Sequence, residues 1–190
     1  MSLRRLFLLP ALLLAVSLPS VAATPGVGQR APEFSLSTTT GERINLSTLT
    51  SKGSVVLVLL RGYPGYQCPF SQLQFQTYQQ AAANFAAIGA EVVFVYPGTD
   101  SKNLVDDAKQ MTGSGQLPGN IHVVIDPDYQ FTNQYGLRWD APNQTAYPTT
   151  FVVSKGGMVF FVHTGRTSSD QTPAKDILAV INANTNASKE

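Results

Sequence analysis

The chain has 190 residues, 43% of them hydrophobic and 13% charged, a balance that suits one globular core and excludes a largely disordered chain. Its 13 Lys and Arg stand against 12 Asp and Glu, so there is no basic surplus of the kind that nucleic acid selects. A single cysteine, Cys68, excludes any disulfide within the chain.

Residues 1–23 read as a secretory signal peptide. Arg4 and Arg5 form a positive start, LFLLPALLLAVSL an apolar centre, and Val21 to Ala23 a small-residue cleavage site before Thr24. An uncleaved amino-terminal membrane anchor is the alternative. Cleavage removes two positive charges and no negative ones, taking the net charge from +1 to −1. The expected destination is the bacterial periplasm or the medium, with residues 24–190 as one domain. Oxidising compartments usually hold cysteines in pairs, so a lone thiol there is expected to be reactive or intermolecular.

From residue 27 onward, strand-like and helix-like stretches alternate. APEFSLSTTTGERINL (31–46) reads as a β-hairpin turning at Gly41, with Phe34, Leu36, Ile44 and Leu46 as its alternating apolar positions. SVVLVLL (54–60) is a continuous apolar run, the pattern of a central strand covered on both faces. CPFSQLQFQTYQQAAANFAAIG (68–89) predicts one helix with Tyr78, Ala82, Phe85 and Ile88 along a stripe and Gly89 just past its end. EVVFVY (91–96) is a second buried strand, SKNLVDDAKQM (101–111) a helix, IHVVID (121–126) a strand, and DYQFTNQYGL (128–137) a short helix closed by Gly136. TTFVVSKGGMVFFVHTG (149–165) is a hairpin, and QTPAKDILAVINAN (171–184) an amphipathic helix with Ile177, Leu178, Val180 and Ile181 turned inward. Strands separated by helices, ending in a hairpin and a helix, predict an α/β protein whose sheet carries helices on both faces.

Such sheets place chemistry where a central strand ends and a helix begins, and Cys68 lies there. With Cys68 as the cap, Pro69 takes the first helical position, where a missing N–H costs nothing, and Ser71 stands one turn in. The free amides and dipole of a helix start stabilise a thiolate over a thiol. Arg61, at the strand's end seven residues earlier, is a candidate source of further positive charge. The bland alternative is a small buried hydrophobe, the usual fate of a free cysteine. Tyr63 and Tyr66 flank the loop and are expected to cover the sheet, with walling a pocket as the alternative. His122 and His163 lack clustered partners and are expected to be structural, and Asp126 to Asp128 reads as a turn and helix cap rather than a calcium loop. No metal and no cofactor is called for.

The succession GVGQRAPEFSL, GERINLSTL, SVVLVLLRGYPGYQCPFSQ, IDPDYQFTNQYGL and YPTTFVVSKGGMVFF resembles the peroxiredoxin-like (redoxin) family of the alkyl hydroperoxide reductase and thiol-specific antioxidant type. The resemblance covers essentially all of residues 24–190. It implies a thioredoxin-like fold, with a central mixed β-sheet flanked by helices on both faces and an amino-terminal β-hairpin extension. It also implies Cys68 as the nucleophile, Arg61 as a stabiliser of thiolate and peroxide, Ser71 and Thr149 as hydrogen-bond donors, and Pro148 as a cis proline beside the thiol. The sequence departs from the family at the residues before the cysteine, where a proline and a threonine or serine are usual: Gly65 stands three before Cys68 and Arg61 seven before. Ser71 occupies the place of a second cysteine in the related CPxC pattern, and the four residues CPFS are also similar to monothiol glutaredoxin loops.

One thiol that becomes a sulfenic acid needs another thiol for its return, so the implied partners are a peroxide or disulfide substrate and an external thiol reductant, protein or small molecule. A homodimer bridged through Cys68 is a further option. The expected activity is an exported one-cysteine peroxidase. Monothiol disulfide exchange is the alternative, and so is a non-catalytic binding or scaffold protein whose site has decayed.

Overall fold

A computed structural model of the chain describes residues 22–63, 66–99, 101–113 and 115–187. The apolar leader segment, residues 1–21, and Gly65 therefore lie outside the described residues, and so does the side chain of Tyr63.

The first hairpin forms as its alternation predicts. Strands β1 (Ser35–Thr38) and β2 (Arg43–Asn45) pair antiparallel, and Gly41 takes a positive φ of 90° in the turn between them. Phe34, Leu36, Ile44 and Leu46 are all buried. A five-residue helix that the sequence pattern does not announce, α1 (Leu46–Thr50), follows and buries Leu46 and Leu49. Strand β3 (Ser54–Leu59) is covered on both faces from Val55 onward.

The loop beyond β3 contains two minimal paired strands, β4 (Gly62–Tyr63) and β5 (Tyr66–Gln67). The predicted long helix is two helices, α2 (Pro69–Gln80) and α3 (Ala82–Ala87), separated at Ala81, whose φ and ψ of −90° and 3° leave the helical range. Tyr78, Ala82 and Phe85 nevertheless remain on one buried face, and Gly89 closes the segment with φ 66°. Strand β6 (Ala90–Gly98), helix α4 (Ser101–Thr112), strand β7 (Ile121–Pro127) and helix α5 (Gln130–Gln134) come next. The last hairpin is β8 (Thr149–Val153) and β9 (Val159–Thr164), irregular at Val152 and Val153, and α6 (Ala174–Ala187) ends the described chain.

Seven strands form one mixed sheet in the order β2-β1-β7-β6-β3-β8-β9. The inner strands β3, β6 and β7 are parallel, while the flanking pairs are antiparallel. The chain steps from β3 to β6 to β7 in one direction across the sheet. Right-handed crossovers taken in one direction must put their helices on the same face. That is why α2, α3 and α4, joined by α6, share one apolar core with Val56, Val58, Phe94 and Val123. The other face, with Leu57, Leu59, Val93, Val95 and Phe151, is covered by α1, α5 and the chain before β1. Both faces carry helices, but the long ones are all on one side. No helix among the described residues is long and apolar enough to cross a membrane.

Candidate active site

The site is built where β3 ends. Leu60 continues the line of the strand by donating its N–H to Val95 O at 3.0 Å, so the chain is still held to β6 one residue before Arg61. The Arg61 N–H then turns to Ser71 Oγ at 3.0 Å. This bond ties the strand end to the first turn of α2, and it explains how Arg61 and Cys68 come together across seven residues. Cys68 is the N-cap of α2 with Pro69 immediately inside, as the sequence predicts.

The sulfur's surroundings differ from expectation in one respect. Cys68 makes no side-chain capping hydrogen bond to the helix amides; its carbonyl accepts from Gln72 N at 3.0 Å, which begins the helix. Its Sγ lies instead 3.7 Å from Nη1 of Arg61. The charge beside the thiol is thus a guanidinium in contact rather than a dipole end. Cys68 itself is only 1% exposed.

The hydrogen bonds of Ser71 and Thr149, two other side chains named from the sequence, run to groups other than the sulfur. Ser71, fully buried, accepts from Arg61 N and from Gln171 Nε2 at 3.4 Å, so it acts on the backbone that carries Arg61. Thr149 stands opposite Leu59 in the β3–β8 pairing, beside the strand end, but its hydroxyl donates to Tyr147 O at 3.0 Å and approaches Thr164 Oγ1 at 3.4 Å. Pro148 is buried next to it. The expected cis bond is corrected: every peptide bond among the described residues is trans, Pro148 included. The flanking backbone is held by Tyr147 N to Leu137 O at 3.0 Å and Gly165 N to Pro148 O at 2.8 Å, and β8 begins at the next residue, Thr149.

Three residues of the site carried no signal in the sequence. Gln144 accepts from both Nε and Nη2 of Arg61, at 2.7 and 2.5 Å. The Trp139 ring lies 5.6 Å from the Arg61 guanidinium carbon, and Trp139 is itself stacked on Tyr147 at 4.8 Å. Gln67, just before Cys68, accepts from Tyr96 Oη at 3.0 Å and donates to Asp107 O at 2.8 Å, which anchors the approach to the cysteine on β6 and α4. Burial pushes the Tyr96 phenol up to about 12, so it serves Gln67 as a donor across the physiological range.

His122 and His163 each meet one carboxylate at 2.8 Å, Glu91 and Asp170 respectively. Among the described residues no three His, Cys, Asp or Glu side chains gather where a metal ion would be held. Asp126 to Asp128 is a turn and cap: Asp126 accepts from Phe131 N, Thr132 N and Thr132 Oγ1 at 2.6 to 2.9 Å.

A thiol at a helix start after a central strand, with a cation on the sulfur, on a mixed sheet with long helices on one face, defines a thiol-dependent oxidoreductase of thioredoxin-like fold. The sequence profile of the AhpC/TSA family matches residues 27–162, and the chain belongs to that family. It is 31% identical over 138 residues to the thiol-disulfide oxidoreductase ResA of Bacillus subtilis (strain 168), a match covering 73% of this chain and 67% of that protein. Among solved structures, peroxidoxin BcpB from Mycobacterium tuberculosis superposes with a TM-score of 0.66 at 23% identity, covering 84% of this chain and 97% of that one. The 2-Cys peroxiredoxin of Plasmodium vivax does so with a TM-score of 0.68 at 18% identity, over 86% and 83% of the two chains. A peroxiredoxin-like protein from Aquifex aeolicus gives 0.67 at 18% identity, over 86% and 90%. These likenesses establish the thioredoxin-like peroxiredoxin fold.

Proposed function

We propose that this protein is an exported one-cysteine peroxidase that reduces small hydroperoxides through Cys68 and is returned to the thiol by an external reductant. The observation that carries the proposal is the contact of Arg61 Nη1 with Cys68 Sγ at 3.7 Å. A guanidinium in that place puts a positive charge beside the attacking sulfur, where negative charge develops on the departing peroxide oxygen.

The chemistry balances with one cysteine. The Cys68 thiolate attacks the terminal peroxide oxygen, an S–O bond forms as the O–O bond breaks, and sulfur gives up two electrons. The leaving alkoxide takes a proton and departs as the alcohol, or as water from hydrogen peroxide, leaving Cys68 as sulfenic acid. A first external thiol then forms a mixed disulfide with Cys68 and releases water. A second thiol attacks that disulfide, frees Cys68 and leaves as the oxidised reductant.

The apolar leader with its Val21-Ala22-Ala23 ending supports export, with cleavage before Thr24 and residues 24–190 as the working domain. Homodimer formation belongs to the same proposal as an option open to a single thiol. A second reading, monothiol disulfide exchange, is favoured by the match to ResA, whose name describes thiol-disulfide oxidoreduction. In that case Cys68 attacks a disulfide sulfur in place of a peroxide oxygen.

The deciding experiment is intact mass of the reduced protein lacking residues 1–23 after stoichiometric hydrogen peroxide, with and without a sulfenic-acid trap, beside Cys68→Ser. The expected result is a trapped adduct on the wild type and none on Cys68→Ser, whose turnover is lost altogether. Silence toward peroxide combined with rapid labelling by a small disulfide would replace peroxidase by exchange; silence toward both returns the protein to a binding or scaffold role.

A further inference from the structure

We infer that Gln144 is a positioning residue for Cys68: it fixes the Arg61 guanidinium on the sulfur while leaving its positive charge uncancelled. The inference rests on the reading above that Cys68 is the reacting group.

A guanidinium presents five N–H donors in a planar fork, and one edge is normally satisfied by a carboxylate. Here the Nε and Nη2 edge is satisfied by a single neutral oxygen, Gln144 Oε1, and the remaining Nη1 is the group that meets Cys68 Sγ. The amide must present oxygen to this edge, because both facing groups are donors. The Trp139 ring is the second support of the guanidinium, and it is also uncharged. None of the ion pairs among the described residues involves Arg61. The carboxylate of the same loop, Asp140, is turned to Arg138 Nη2 at 3.6 Å.

The loop that delivers Gln144 is itself tied down, so its placement is not that of a mobile surface glutamine. Arg138 Nη1 donates to the carbonyls of Trp139, Gln144 and Thr145, and Trp139 N donates to Thr145 O at 3.2 Å. The Arg138 guanidinium lies 4.1 Å over the Tyr129 ring. A carboxylate at position 144 would reach the same atoms and hold Arg61 equally well. It would, however, pair off the charge that the thiolate and an incoming anion otherwise feel. Neutrality at 144 is therefore the functional property, separable from its holding role.

The test measures the rates at which Cys68 of the folded protein lacking residues 1–23 reacts with iodoacetate, an anion, and iodoacetamide, its neutral counterpart. The ratio of the two rates reads the potential at the sulfur, which loss of packing alone does not set. Gln144→Glu, with thermal midpoint recorded beside it, is expected to lower that ratio about tenfold, the effect of one nearby charge. Gln144→Met keeps the bulk and drops the acceptor, and is expected to slow both reagents about threefold when Arg61 is present and not at all in an Arg61→Met background, a double-mutant cycle. An unchanged ratio in Gln144→Glu, or an equal slowing by Gln144→Met with Arg61 absent, overturns the inference. A wild-type Cys68 that neither reagent labels also overturns it. Labelling with these responses but no oxidation by hydrogen peroxide would remove the peroxidase reading and leave the role of Gln144 intact.

Discussion

Two parallel strands of this sheet, β3 and β7, end in a charged group, half-buried at β3 and buried at β7, and the two ends are built in opposite ways. At the end of β7, Asp126 is wholly buried and saturated: both oxygens accept, from two backbone N–H groups and the Thr132 hydroxyl. At the end of β3, Arg61 is held along one edge by Gln144 and has its other arm on Cys68 Sγ. A saturated charge has nothing left to offer and serves as a cap for α5. A cation whose neighbours are neutral retains its field for whatever arrives beside it, and what stands beside it is the chain's single thiol. The position at a strand end is shared; the hydrogen-bond inventory differs, with Asp126 engaged on both oxygens and Arg61 open toward Cys68.

The comparison is broken most forcefully at Asp126. Asp126→Ala leaves three buried donors without an acceptor and is expected to cost about 3 kcal/mol of stability, with the Cys68 rate toward peroxide unchanged at temperatures where the variant is folded. Denaturant midpoints and trapping rates check the two halves separately. Arg61→Met should behave in reverse: about a hundredfold loss in the peroxide rate through lost transition-state stabilisation, with a thermal midpoint within a few degrees of wild type. A large stability loss for Arg61→Met would make it a second structural charge and dissolve the contrast.

The same pair of ends gives a pH signature. Burial raises the Asp126 carboxyl above its ordinary 3.8, against the pull of its Thr132 and Phe131 donors. The folded protein then holds this proton at a higher pH than the unfolded chain does. The contribution to stability is fully present below 3.8 and is lost as pH rises through the raised value. Wild type should therefore gain on Asp126→Asn as pH falls from neutral to below 4, measured as the difference in urea midpoints. A gap that narrows on acidification would mean that the hydrogen bonds outweigh burial at this carboxylate.

How much of this was legible beforehand follows the range of the interactions. Val55 to Leu59 announced a central strand because burial on both faces demands uninterrupted apolar residues, and Cys68-Pro69 announced a helix start because both residues suit it locally. Arg61 was legible as a strand-end charge near the thiol. The break at Ala81 was not, since three consecutive alanines are good helix formers and nothing local announces an interruption. The two-residue strands β4 and β5 are too short to leave a periodic trace. Gln144 lies 83 residues from Arg61, in a segment whose Pro, Asn and Gln read as loop and nothing more. A pattern along the chain reports what each residue does to its neighbours. It does not report which distant loop folds back on a strand end. The cis geometry expected at Pro148 came from family resemblance rather than from these residues, and the bond is trans with hydrogen-bonded backbone on either side.

The smallest predicted effect tests whether the neutral supports of Arg61 are graded. Trp139 contributes through the face of its ring at 5.6 Å from the guanidinium, near the outer limit at which a cation feels an aromatic quadrupole. At that distance the attraction is worth about 0.5 to 1 kcal/mol. Trp139→Leu should then slow the reaction of Cys68 with peroxide about two- to fivefold, well short of Arg61→Met. Because Trp139 is also stacked on Tyr147 at 4.8 Å, a readout of packing is needed alongside. Trp139→Phe retains an aromatic face for both neighbours and should recover most of the lost rate, whereas Trp139→Leu with restored stability, by a compensating change elsewhere, should not. Equal rates for the Phe and Leu variants would assign Trp139 to the loop alone and leave Gln144 as the only support that the chemistry senses.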